Sequence, residues 1–184
     1  MMILISIIRN KNLKSKLKMS QELLNKVSEK LKANFGADVL SAEMHYDFPV
    51  FVINHHKIHD ALSFLKNDEE LNFHFLTDLT AMQTADEKQL GVVYHLHNMM
   101  KNYRVRLKTF VDISKPEVPT ATDLWPGANW MERESYDFFG VQFKGHPNLK
   151  RILNMDEMDI FPLRKEYPLE DQTRDDKSDK MFGR

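Results

Sequence analysis

Apolar positions recur along this chain with two different periods. Leu23, Leu24, Val27 and Leu31 fall on one face of a helix, with Ser20 placed to cap its start and Gly36 to stop it. From Leu40 the period drops to two. Leu40, Ala42, Met44, Tyr46 and Phe48 alternate with polar residues as in a half-buried strand, Pro49 interrupts, and the run VFVIN reads as a second strand. Asn54 is placed to cap a second helix whose apolar stripe is Ile58, Ala61, Leu62 and Leu65. Three strands follow, FHFLTDLTAM from Phe73, LGVVYHLHNM from Leu90 and YRVRLKTFVD from Tyr103. In the last, Tyr103, Val105, Leu107, Thr109 and Val111 share one face and Arg104, Arg106 and Lys108 the other. The strands flanking NMMKN should form an antiparallel hairpin.

This order predicts a two-layer α+β fold: helix, two strands, helix, three strands, with a mixed sheet covered by helices on one face and open on the other. The basic row Arg104, Arg106 and Lys108 would lie on that open face, either solvated or set against an acidic partner. After Val111 the texture changes to a proline-rich connector, SKPEVPTATDLWPG. NWMERESYDFFG fits a short helix started by Asn129 and stopped by Gly140. Scattered glycines and prolines beyond it forbid a long helix and predict an extended strap. The expected organisation is a leader over 1–18, an α+β domain over 19–140 and a strap with a charged tail over 141–184.

Charge changes this picture only at the start. The net charge is −1, but Arg9, Lys11, Lys14, Lys16 and Lys18 give the first 18 residues +5 and leave the remainder at −6. The apolar run Met1–Ile8 is far shorter than the ~20 residues of a membrane helix, and the basic residues follow it, the reverse of a signal peptide. The leader therefore reads as a disordered segment or as sequence upstream of a start at Met19, with a membrane-surface anchor as the alternative. The absence of cysteine excludes disulfides, thiolate zinc sites and cysteine-ligated iron–sulfur clusters in this chain.

The candidate chemistry is sparse. No GxxxxGK[ST], GxGxxG or GxSxG motif is present, and the chain has only 6 glycines with which to cradle a phosphate. His55 and His59 are four apart on the second helix, and His95 and His97 share a strand face, but neither pair has a third ligand at metal-site spacing. In the short helix, Glu132 and Glu134 point about 200° apart. Glu134 and Asp137 share a face, and Arg133 and Asp137 are spaced to pair. A small acid–base or metal-dependent enzyme would use Glu134, Asp137 and His146. A scaffold would instead use the aromatics from Trp125 to Tyr167, beside Arg151 and Arg164, as interface anchors.

The stretch ERESYDFFGVQFKGHPNLKRIL (Glu132–Leu153), followed by PLRKEYPLE (Pro162–Glu170), resembles the 30-kDa subunit family of respiratory complex I, the NADH:quinone oxidoreductase of bacteria. The family pattern is matched by Glu132-Arg133-Glu134, Asp137, Phe138-Phe139, His146, Lys150 and Ile152-Leu153. One departure is Ile160-Phe161, where many members have Gly-His. The resemblance implies a subunit without flavin, cluster or nucleotide, in the hydrophilic arm of a proton-translocating NADH:quinone oxidoreductase. FMN, iron–sulfur clusters and quinone would reside in partner subunits, those nearest being the ones with the terminal cluster and the quinone site. It implies a peripheral place on the cytoplasmic side of the bacterial inner membrane, and the net charge of −1 argues independently against a nucleic-acid partner. A related membrane-bound hydrogenase or a ferredoxin- or F420-dependent complex would use an equivalent subunit. On this reading Glu132, Arg133, Glu134, Asp137, His146, Lys150, Arg151, Arg164 and Lys165 are candidates for a partner interface.

Overall fold

The structure is a computed structural model describing residues 2–46 and 48–167, with side chains described from Met19 onward. Helix α1 (Met2–Phe35) leads into a turn at Gly36 and the strands β1 (Val39–His45) and β2 (Phe48–Ile53). Helix α2 (Ile58–Asn67) precedes β3 (Phe75–Gln83), β4 (Gln89–Asn98) and β5 (Tyr103–Asp112). The chain then forms β6 (Glu117–Pro119), helix α3 (Ala128–Phe139) and β7 (Gln142–Lys144).

The main sheet has the order β1-β2-β5-β4-β3. All its pairs are antiparallel except β2 with β5, which is parallel, so the sheet is mixed as the sequence predicts. One rung shows how the alternating pattern builds the core. Leu79, Tyr94, Leu107, Phe51 and Ala42 stand opposite one another across all five strands. The helical stripes Leu23, Leu24, Val27 and Leu31 of α1 and Ile58, Ala61, Leu62 and Leu65 of α2 join that same core. Each large aliphatic side chain enclosed there contributes about 1.5–3 kcal/mol. Val50 and Val93 are also buried but stand outside this cluster, on the opposite face.

Four details depart from expectation. Residues 2–18, read as a disordered leader, are helical and continue into α1 without a break. Ser20 therefore caps nothing; it lies inside the helix and is buried. Helix α3 begins at Ala128, after a Gly127 that makes no capping bond, and the backbone oxygen of Asn129 instead accepts from His146. The strap contains a strand, because β7 pairs in parallel with β6 of the connector. Three-residue strands carry no readable period, so this pair was invisible in the pattern. Asn54 does cap, accepting from the His56 N–H, but one 3-10 turn before α2 begins. The expected charged tail lies outside the described residues from 168 onward. Among the described residues no helix is long and apolar enough to cross a membrane.

Candidate functional site

Helix α3 and the strap residues after it carry most of the candidate site. The helix stops at Gly140, whose φ of +78° is the left-handed conformation that glycine adopts without a Cβ penalty. That stop turns the chain back along α3, and the charged side chains of the helix then fasten it.

Asp137 is fully enclosed. One of its carboxylate oxygens accepts the backbone N–H groups of Ile152 (3.1 Å), Leu153 (2.8 Å) and Asn154 (2.9 Å). The other accepts from Arg151 Nη1 (2.8 Å) and from Asn154 Nδ2 (3.1 Å). Burial opposes its ionisation, but the N–H of Asn154, the Arg151 guanidinium and the N–H groups of Leu153 and Ile152 outweigh burial and hold the carboxyl well below the usual carboxylate range. Arg151 reaches further, donating to the backbone oxygens of Asp137, Met158 and Ile160. Arg133 answers from the other side, its Nε donating to the Lys150 carbonyl (3.1 Å) and its Nη2 to that of Arg151 (2.8 Å). Arg133 and Asp137 thus do not pair within the helix; each is spent on the strap.

Glu132 points the other way along the helix surface, into the domain. It is fully buried and accepts from Thr120 Oγ1 and the Ala121 N–H, both at 2.6 Å. Burial raises its carboxyl to about 7 against those two hydrogen bonds, and Asp123 adds to the rise. Glu134 is exposed, about 200° around the helix from Glu132 as its spacing requires. It does not share a surface with the enclosed Asp137.

The end of the strap is fixed separately. Arg164 Nε donates to the Phe139 carbonyl (2.7 Å), and its guanidinium lies over the Phe161 ring at 4.6 Å. Arg151 approaches the same ring at 5.2 Å, and Tyr136 meets it edge-on. Phe161, a departure from the family pattern, thus sits at the centre of the clasp. Phe161 and Arg164 also press onto Gly140, where an added Cβ would come within 2.6 Å of both. Lys165 bonds the β3 end through Gln83 Oε1 (2.7 Å) and the Thr84 carbonyl (3.0 Å). The Lys150 side chain is exposed.

His146 has both ring nitrogens engaged: Nε2 donates to the Asn129 carbonyl (3.2 Å) and Nδ1 accepts from the Asn148 N–H (3.0 Å). Asn129 is eight residues before Asp137, about 12 Å along a helix axis. Glu134, Asp137 and His146 therefore do not converge. His59 is turned to Asp123 (2.9 Å), while His55 packs against His56 with ring centres 3.8 Å apart. Among the described residues no group of three ligating side chains could hold a metal ion.

Of the nine interface candidates, the structure turns Glu132, Arg133, Asp137 and Arg151 inward, where they bind this chain's own backbone. Glu134, Lys150 and Lys165 are exposed, and His146 and Arg164 are partly so. Exposed apolar side chains accompany them on α3 and the strap: Trp130, Leu153, Met155, Ile160 and Leu163. Thr120, Gly140, Asn154 and Phe161 complete the clasp, although no spacing in the sequence links them to it.

Comparison with known proteins gives a consistent set. Residues 51–173 match the family model described as respiratory-chain NADH dehydrogenase, 30 Kd subunit. A relative from Roseiflexus sp. (strain RS-1), named as the C-type subunit of an NADH-quinone oxidoreductase, is 43% identical over 145 residues, covering 78% of this chain and 83% of the relative. Among solved structures, a chain of the membrane-bound sulfane sulfur reductase, an archaeal respiratory membrane complex, superposes with a TM-score of 0.66 at 27% identity, covering 81% of this chain and 85% of that one. A trypsin-resistant fragment of Nqo5 superposes with a TM-score of 0.58 at 27% identity, covering 68% of this chain and 98% of the fragment.

Proposed function

Because the chain belongs to the respiratory-chain NADH dehydrogenase 30 Kd subunit family, we propose that it is the non-catalytic scaffold subunit of the hydrophilic arm of a proton-translocating NADH:quinone oxidoreductase. Its partners are other subunits of that complex. Those beside it would carry the terminal iron–sulfur cluster and the quinone site, and FMN and the other clusters would reside in partner subunits, with none in this chain. The complex would stand at the inner membrane with this subunit peripheral on the cytoplasmic side.

One observation carries the reading. Three charges of the motif, Arg133, Asp137 and Arg151, hold the chain's own backbone: five donors converge on Asp137, and the carbonyls of residues 150 and 151 on Arg133. A carboxylate enclosed and held far below the usual range is a poor proton acceptor, so it suits a rigid mount better than acid–base catalysis. The mount presents Trp130, Leu153, Met155, Ile160 and Leu163 outward, a surface suited to a neighbouring subunit.

The test is purification through a tag on this chain from its own cells. The expected complex contains flavin and oxidises NADH with quinone, and removing the chain abolishes that activity in membranes. NADH or quinone turnover by the isolated chain would overturn the scaffold reading. The likeness to the sulfane sulfur reductase chain favours one second reading, an equivalent subunit of a related membrane complex. It predicts the same co-purification with different electron-input subunits and no flavin-dependent NADH oxidation.

A further inference from the structure

The face of the sheet opposite the core carries a charge pattern that the clasp does not use. Strand registers place its residues in rungs. Asp78, His95, Arg106, Val50 and Glu43 form one rung across all five strands. On one side of it stand Thr80, Val93, Lys108 and Val52, and on the other Phe75, His97 and Arg104. The cations therefore stack along the central strand β5, with two histidines directly beside them on β4. The acids Asp78 and Glu43 lie at the two edges, each two strands from Arg106, or about 9.6 Å away.

Arg104, Arg106 and Lys108 have no ion-pair partner among the described residues. The carboxylates that do pair are engaged elsewhere, as Asp137 is with Arg151 and Asp68 with Lys30. Two nitrogens at this face, Arg106 Nε and His97 Nε2, are enclosed yet have no hydrogen-bond partner. An enclosed polar nitrogen without a partner is costly, the more so when it carries charge. The Arg106 guanidinium instead lies over the Phe48 ring at 5.7 Å. Between the cations the floor is apolar: Val50 and Val93 are buried, and Phe110 lies across Gly91 close enough to touch a Cβ placed there. The result is a column of like charges on an apolar floor, with the acids of that face, Asp78 and Glu43, held at its two edges.

We propose that this face seats a carboxylate-rich segment of a neighbouring subunit, its acidic side chains paired with Arg104, Arg106 and Lys108 over the Val50–Val93 floor. This rests on the reading above that the chain works inside a multi-subunit complex, and it assigns that complex a second contact on the side of the domain away from the core. Charge complementarity selects the occupant. Three cations in one column match two or three carboxylates of an extended segment, whereas a polyphosphate needs a wider basic field than a chain of net charge −1 offers.

The test uses the complex purified through the tagged full chain. Lys108 should be acetylated at least tenfold more slowly in the complex than in the purified chain. A zero-length carbodiimide should join its amine to an aspartate or glutamate of another subunit. Lys108→Arg should lose that cross-link and keep assembly, because the charge remains. Lys108→Glu should lose both, with complex yield falling at least fivefold while the melting temperature of the purified chain is unchanged. Equal acetylation rates in chain and complex, together with no carboxylate cross-link, would overturn the proposal. So would binding of phosphatidylglycerol vesicles by the parent and not by Lys108→Glu, which would assign the face to lipid. The two readings fail separately. A Lys108 cross-link in a complex that lacks flavin-dependent NADH oxidation sinks the function proposed above and leaves this contact standing.

Discussion

Replacing Asp137 with Asn keeps the shape of the side chain and removes the charge that holds the strap. If the amide oxygen stays on the three backbone N–H groups of Ile152, Leu153 and Asn154, the amide nitrogen faces Arg151 Nη1 and Asn154 Nδ2, and donor meets donor. If the amide flips, three backbone donors lose their acceptor instead. Either orientation leaves a buried guanidinium without its anion, a loss of about 3–5 kcal/mol. That is a large part of the roughly 5–15 kcal/mol typical of a folded domain. With a urea slope of about 2 kcal/mol per molar, the unfolding midpoint should fall by roughly 2 M. Trp125, buried and donating to the His74 carbonyl, supplies the fluorescence signal. The sign of the pH dependence is also fixed. The folded carboxyl titrates below the ordinary 3.8, so its contribution is complete above that value and is lost progressively as pH falls from there through the folded one. The gap between parent and variant should be flat from pH 8 to about 4 and close below it. A loss under about 1 kcal/mol, with the strap as resistant to protease as in the parent, would refute the clasp.

Glu132 predicts the opposite slope. Its folded value of about 7 lies above the ordinary 4.5, so its contribution is complete below 4.5 and is lost as pH rises through 7. Glu132→Gln, able to keep both hydrogen bonds, should gain about 3 kcal/mol relative to the parent between pH 4.5 and 8 in urea titrations; parallel pH profiles would rule this out. Gly140→Ala forces a Cβ into a left-handed position occupied by Phe161 and Arg164, so it should cost at least about 1–3 kcal/mol. It should also speed tryptic cleavage after Arg164 and Lys165, and an unchanged cleavage rate would contradict the packing. Tyr94→Phe removes a fully buried hydroxyl that has no hydrogen-bond partner, so thermal melting should show it neutral or up to about 1 kcal/mol more stable. Glu134→Gln, on the exposed side of α3, should stay within about 0.5 kcal/mol of the parent.

The sheet was legible in the sequence because alternation has a physical cause that acts locally. Every second residue of β5 faces the core, so Val105, Leu107, Thr109 and Val111 announce both the strand and its buried face. The stripes of α1 and α2 are legible for the same reason. The clasp was not. Asp137 meets donors at 151–154, and Glu132 meets 120–121, across a helix stop and a connector with no period of their own. Spacing within α3 suggested a pair between Arg133 and Asp137, yet backbone groups brought in by the chain reversal compete better for both side chains. The same spacing did separate Glu132 from Glu134 correctly, since that relation depends on the helix alone. Gly140 was readable as a stop but not as the seat for Phe161 and Arg164.

The parallel contact of β2 with β5 has a consequence for how the chain is made. Val50 cannot find Arg106 until everything between them has left the ribosome. Hairpins close in microseconds, but this pairing must first close a long loop, and that entropy is spent before the contact returns anything. The hairpin β1–β2 therefore emerges with one edge unsatisfied and waits for the meander β3–β4–β5 to arrive as a unit. During that wait the run PVFVI offers an unpaired strand rich in β-branched and aromatic residues, the sort of segment that aggregates or recruits a chaperone. The parallel pair that joins the two halves of the sheet is thus also the contact that asks most of the chain while it is being made.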